Sequence, residues 1–131
     1  MTSYREALLA MDAGNLAPQD FDHQTHIAVA FEALREDDFF TASKRIADGL
    51  KRLTLAAGVP EKFHATITQA YMSAIAEAMH LGDAQDAETF LVQNPDLLAG
   101  VFLKERFSAA CLSSDLARKV ALLPDRVPDV A

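Results

Sequence analysis

The sequence is poor in the residues that mark several protein classes. Its 131 residues include one cysteine, no tryptophan, five glycines and five prolines. A lone Cys111 cannot form an internal disulfide, which excludes a disulfide-stapled domain and favours a reducing compartment. So few glycines and prolines are not typical of a turn-rich all-β protein or of a flexible linker. No apolar run approaches the length of about 18 residues that a membrane span needs.

Basic residues are also scarce. Lysine and arginine number 12 against 19 aspartate and glutamate residues, for a net charge of −7. This balance argues against non-specific nucleic-acid binding, which needs a basic surface to displace counterions. Glu6 and Asp12 bracket the first apolar run, so the basic-then-apolar order of a signal peptide is missing. We therefore expect a cytoplasmic protein with no nucleic-acid partner and no membrane partner.

The composition and patterning that are present predict a single all-α domain over residues 1–131. Half the residues are apolar and 24% are charged, which is typical of a globular chain. Apolar residues recur with the helical period of 3.6, and no stretch alternates with the period of a strand. We expect about three long helices in a compact bundle, with shorter C-terminal helices packed across it.

Capping residues predict where the helices begin and end. Ser3 with Glu6 has the spacing of a capping box and opens a helix over 4–12. Three long helices are predicted next: one from Asp22 over about 22–36, one from Asp37-Asp38 to Gly58, and one with Pro60 in its first turn that ends at Gly82. Short helices follow: one capped by Asp83 or Asp86, one over about 97–107, and one that begins at Ser113 or Ser114 and ends at Pro124. Residues 125–131 are predicted to be extended.

Three histidines stand at predicted helix starts. His23 and His26 are three residues apart, so they share one helix face and continue an apolar stripe. His64 lies in the predicted first turn of the fourth helix. An antiparallel third helix would bring both helix starts to the same end of the bundle, so the three side chains are expected to converge there.

Such a cluster would suit a metal ion. Helix N-termini carry partial positive charge, which lowers the pKa of nearby imidazoles and keeps them neutral. Three neutral imidazoles can bind zinc, iron or copper and leave a position open for a small organic molecule. Thr66, Thr68 and Tyr71 are candidates to line the same pocket. The alternative is that the histidines are hydrogen-bonded core residues and the threonines bond to backbone.

Four blocks in order along the chain resemble a family of small, largely uncharacterised bacterial all-helical proteins. That family has a Phe-x-His-x-x-His block, a Tyr-His-Glu-Thr-Ile-Thr block after a helix-ending glycine, an Asn-Pro-x-Leu-Leu block, and a Ser-x-x-Ala-Arg block followed by Pro-Asp. The corresponding residues here are 21–30, 63–68 after Gly58, 94–98, and 114–118 with 124–125. The resemblance implies a shared site at His23, His26 and His64. Two departures from the pattern, Phe63 for tyrosine and Ala65 for glutamate, remove a hydroxyl and a carboxylate from the neighbourhood of His64.

Two functions follow as hypotheses. The first is a metal-binding or metal-dependent protein that binds or acts on a small organic molecule. The second is a non-catalytic interaction or assembly module in which the histidines are structural. In this second hypothesis the apolar pair Phe39-Phe40 and the apolar triplet Val101-Phe102-Leu103 are surface anchors for a homo-oligomer.

Overall fold

The structure, a computed structural model, describes residues 3–127 and is all-helical over that range. In this part of the chain 73% of the residues are helical and none is in a strand. Between residues 3 and 127 nine α-helices follow one another: α1 Tyr4–Asp12, α2 His23–Glu36, α3 Phe39–Ala56, α4 Ala65–Leu81, α5 Ala87–Gln93, α6 Pro95–Ala99, α7 Val101–Arg106, α8 Ala109–Leu112 and α9 Asp115–Lys119. One-turn 3-10 helices occupy Pro18–Asp20 and Pro60–Lys62. The all-α prediction is therefore confirmed for the described residues.

Helix α2 lies at the centre of the core. It packs against α1, α3, α4 and α5. Residues 27–31 are all buried, because successive side chains meet a neighbouring helix on more than one side. Three of the buried α2 residues are alanines, and such small side chains let helices approach closely. The ring of Phe31 packs 4.9 Å from that of Phe90 on α5.

Most predicted caps are present and explain where the helices begin. Ser3 accepts from the backbone N–H of Glu6, and Asp22 and Asp38 accept from the third residue beyond each of them. Each cap satisfies one of the backbone donors that a helix N-terminus leaves unpaired. Gly58 follows α3 with φ of +76°, a conformation that glycine adopts without steric cost.

The fourth helix begins later than the sequence predicts. Pro60 opens a separate one-turn 3-10 helix, and α4 starts at Ala65 with His64 as its N-cap residue. The reason is local: the ring nitrogen Nδ1 of His64 accepts the backbone N–H of Ile67 at 3.1 Å, as a serine or aspartate cap would. His64 therefore precedes the first turn instead of lying in it.

The C-terminal third is more broken than predicted. Gly100 has φ of +69°, which divides the segment predicted over 97–107 into α6 and α7. A short helix, α8, was not predicted, and α9 ends at Lys119 instead of reaching Pro124. Residues 121–127 are non-helical, as expected in part, whereas the rest of the predicted extended tail lies outside the described residues.

A partly buried ion cluster joins α3 to the C-terminal ends of α1 and α2. The guanidinium of Arg45 on α3 contacts Asp12 at 2.7 Å, Glu36 at 2.9 Å and Asp37 at 3.2 Å. These carboxylates consequently face an arginine rather than a ligand site.

No helix within residues 3–127 is long and apolar enough to cross a bilayer.

Candidate functional site

The first turn of α2 places His23 and His26 side by side. The Asp22 cap fixes that turn, since its carboxylate accepts the Thr25 N–H at 2.8 Å. This hydrogen bond also lowers the pKa of Asp22, so the carboxylate is ionised and offsets the positive helix end. The two imidazole rings lie 6.3 Å apart, centre to centre, and nearly perpendicular. The predicted pairing of these histidines on one helix face is thus observed.

His26 has a buried nitrogen without a hydrogen-bond partner. The residue as a whole is half-buried, but its Nε2 atom has no accessible surface and no donor or acceptor in reach within residues 3–127. The ring of Phe21 lies 5.6 Å away. Desolvation, and secondarily the charge of His23, lowers the pKa of His26 from 6.5 to about 4. The ring is consequently neutral at physiological pH.

Tyr71 completes this cluster from the second turn of α4. Its hydroxyl lies 3.2 Å from Nε2 of His23 and donates to the backbone carbonyl of Leu97 at 3.4 Å. Its ring lies 5.2 Å from that of His23 and 6.0 Å from that of His26. Burial raises the pKa of the Tyr71 phenol, which keeps the hydroxyl protonated in the absence of a cation.

The segment after α6 closes the cluster on its far side. A Cβ built on Gly100 would lie 3.1 Å from the Tyr71 hydroxyl, so the left-handed glycine lets the backbone approach this oxygen. Phe102 packs edge-on against the Tyr71 ring at 4.9 Å. We name the group of Phe21, His23, His26, Tyr71 and Phe102 the His–Tyr cluster.

His64 does not join the His–Tyr cluster through any hydrogen bond or ring contact. Its Nδ1 accepts from Ile67 and its Nε2 lies 2.7 Å from the carbonyl oxygen of Leu112, so the Nε2–H tautomer is assigned and both nitrogens are engaged. Tyr71 is seven residues farther along the same helix, a rise of about 10 Å. Over residues 3–127, no three or more histidine, cysteine, aspartate and glutamate side chains are grouped to hold a metal ion. The three-histidine grouping expected from the sequence is therefore absent from the described part of the chain.

The other candidate residues have separate places. The hydroxyl of Thr66 donates to the Val120 carbonyl at 2.7 Å and accepts from Leu122 N–H at 3.0 Å, which ties the C-terminal segment to α4. Thr68 is buried in α4. Of the predicted pocket residues, Tyr71 is the one in contact with the histidine pair.

The sequence analysis did not place Phe21 and Phe102 in this cluster, and it did not predict that Gly100 lies against it. Phe21 directly precedes the capping aspartate of the His-x-x-His turn, and Gly100 interrupts an otherwise helical pattern. The position of Gly100 is a usable signal, because an isolated glycine in a helical segment often marks close backbone approach. The position of Phe21 beside the capping aspartate is a second signal.

Comparison with known proteins identified no relative. No family model, no curated protein and no solved structure matches the chain. The family resemblance drawn from the four sequence blocks therefore stays a prediction.

Proposed function

We propose that this protein binds a transition-metal ion through His23 and His26, with Tyr71 as a third donor. The observation that carries the proposal is the buried Nε2 of His26, which has no partner among residues 3–127. Most buried polar atoms in proteins have a hydrogen-bond partner, and an exception calls for a bound water, an ion or a functional role. Tyr71 takes the place that the sequence analysis gave to His64.

The two rings can share an ion after a small adjustment of their side chains. Two imidazoles that bind one zinc ion at about 2.0–2.1 Å and at the tetrahedral angle have ring centres about 5 Å apart. The centres of His23 and His26 lie 6.3 Å apart, so binding one ion requires the two rings to move toward each other by about 1 Å. Because the Tyr71 hydroxyl already touches Nε2 of His23, a cation there would have an oxygen donor beside a nitrogen donor.

The protonation states also favour cation binding. Metal ligands must be deprotonated, and the low pKa of His26 leaves its lone pair free well below neutral pH. A bound cation would lower the pKa of the phenol and draw it toward the phenolate. Zinc, iron and copper all accept imidazole nitrogen, and iron and copper commonly accept oxygen beside it.

The site is open on one side. His23 is exposed, so a cation can reach it from solvent. Three protein donors leave at least one coordination position, which a small organic molecule or water would fill. The lone cysteine favours a reducing, cytoplasmic setting for this activity.

Metal analysis of tag-free protein tests the proposal. The purified chain is loaded with Co²⁺, Zn²⁺, Cu²⁺ or Fe²⁺, desalted, and assayed by elemental analysis and by visible absorption. We expect stoichiometric metal that is lost in His26→Gln and in His23→Gln and weakened in Tyr71→Phe. The matched control is His80→Gln, because His80 is exposed at the far end of α4. Metal retained equally by His26→Gln and by His80→Gln would refute the proposal.

A second candidate function is self-association. One observation favours it: the side chain of Phe40 is 80% exposed at the start of α3, edge-on to Phe39 at 5.3 Å. Of the other predicted anchors, Phe39, Phe102 and Leu103 pack against the core, which leaves Val101 exposed beside them. Sedimentation analysis of wild type and Phe40→Ser distinguishes the candidates, since a metal-binding monomer sediments alike in both.

A further inference from the structure

A surface groove runs along the outer side of α4 and is separate from the histidine pair. It has a volume of about 440 Å³. Helix α7 and the segment of residues 120–126, which we call the C-terminal strap, form its walls. Its apolar lining includes Ala70, Ala74, Phe102, Phe107, Leu122 and Pro124.

The C-terminal strap is fastened on both sides of the groove. Near its start, Val120 and Leu122 are hydrogen-bonded to the hydroxyl of Thr66 on α4. Near its end, both carboxylate oxygens of Asp125 accept from Ser108, at 2.7 and 2.6 Å. Arg126 N–H then donates to the carbonyl of Arg106 at 3.0 Å. Because Thr66 is buried and hydrogen-bonded to the strap, the wall has a defined position although it lacks helix or strand.

Polar side chains line the groove in one row. Gln69, Ser73 and Glu77 recur every four residues on α4 and so share one helix face. Arg106, the last residue of α7, lines the same groove and carries the positive charge of its lining. The ion pairs formed among residues 3–127 include neither Glu77 nor Arg106, so both charges are available to a ligand.

We propose that this groove binds a small zwitterionic aminocarboxylate with an apolar body. The carboxylate would pair with Arg106, whose planar guanidinium suits that group, and the ammonium would pair with Glu77. The apolar floor would cover the body of the ligand, and the volume is within the usual range for small-molecule sites. A zwitterion has no net charge, so it approaches a chain of net charge −7 without the repulsion that a simple anion meets.

The test is a titration of the metal-free protein monitored by ¹H–¹⁵N nuclear magnetic resonance. The probes are L-phenylalanine, L-leucine and 6-aminohexanoate, with hexanoate and hexylamine as halves that lack one charge. We expect saturable shifts of the amides that line the groove with at least one zwitterion. Each half-molecule should bind about two- to fivefold more weakly, the effect expected for one exposed charge pair.

Variants locate the binding site. Arg106→Gln and Glu77→Gln should each weaken binding of the zwitterion about two- to fivefold. Glu88→Gln on α5 is the matched control and should leave binding unchanged. Ser73→Phe, at an exposed position on the row, should fill the groove and abolish the shifts. If Ser73→Phe does not fold, the affinities of Arg106→Gln and Glu77→Gln for the zwitterion still test the proposal, because both residues are exposed.

Three results would overturn the inference: no saturable groove shift with any zwitterion, equal binding of hexanoate and of the zwitterions, or unchanged binding in Arg106→Gln and Glu77→Gln. Because the titration uses metal-free protein, its outcome is independent of metal binding at the His–Tyr cluster.

Discussion

Replacement of His26 by leucine should remove an acid-sensitive part of the stability of the metal-free protein. The native state holds the pKa of His26 at about 4 against an ordinary value of 6.5. As the pH falls below 6.5, the unfolded chain takes up a proton that the native ring refuses, so unfolding becomes easier. This contribution is fully present above pH 6.5 and is lost as the pH falls toward 4. Between pH 7 and pH 4.5 the two pKa values correspond to a loss of about 2 kcal/mol.

Urea unfolding at the two pH values, in a buffer with chelator, measures the effect. The wild-type free energy of unfolding should fall by about 2 kcal/mol more than that of His26→Leu over this interval. Aspartates with lowered pKa values, such as Asp22 and Asp86, contribute equally to both proteins and cancel in the difference. His80→Gln is the matched control because it removes an imidazole from an exposed position of α4. An equal pH dependence of wild type and His26→Leu would mean that the ring is solvated, and the reasoning about its buried nitrogen would be refuted.

Further substitutions test the packing around the site. Ile75→Ala should cost about 2–5 kcal/mol in chemical denaturation because Ile75 is fully buried, while Ile67→Ala should cost less because Ile67 is half-buried. His64→Ala removes two hydrogen bonds and should lower the free energy of unfolding by about 1–3 kcal/mol, and a cost near zero in urea titration would contradict the capping role. Gly100→Ala should lower the midpoint of thermal unfolding by a few degrees, since it places a Cβ in the left-handed region and against the Tyr71 hydroxyl, and an unchanged midpoint would count against that close approach.

The positions of the first helices can be predicted from local sequence signals, chiefly the capping residues. Helix α1 has the predicted bounds, and α2 and α3 begin within two residues of prediction, because Ser3, Asp22 and Asp38 are caps that act over three residues. The break at Gly100 is a local signal too, but whether a glycine is tolerated within a helix or ends it depends on its neighbours. Here the neighbour is the Tyr71 hydroxyl, which lies far away in sequence.

The part of the candidate site that lies within one helix, the pair of His23 and His26, could be predicted from the sequence. Three-residue spacing puts His23 and His26 on one face of a helix whatever the rest of the chain does. Which residue of α4 meets the two histidines depends on how far α4 is displaced along α2 and on the direction in which the His64 side chain points. Periodicity indicates the face of a helix but not how far one helix slides along another, and it does not reveal that a histidine ring serves as a cap. Tyr71, a full two turns into α4, consequently occupies the position expected of His64.

His64 illustrates how a histidine can be indispensable without touching a ligand. Serine, aspartate or asparagine could replace its bond to the Ile67 N–H, but these side chains are too short to reach the Leu112 carbonyl as well. The two nitrogens of the rigid imidazole ring hydrogen-bond to two different elements. One bond caps the first turn of α4, and the other holds the end of α8 against it. Selection on folding alone would therefore preserve histidine at this position across relatives, with no help from chemistry. An invariant histidine here would therefore indicate how the C-terminal third docks. The residue to test for reactivity is His26, whose buried Nε2 has no hydrogen-bond partner within residues 3–127.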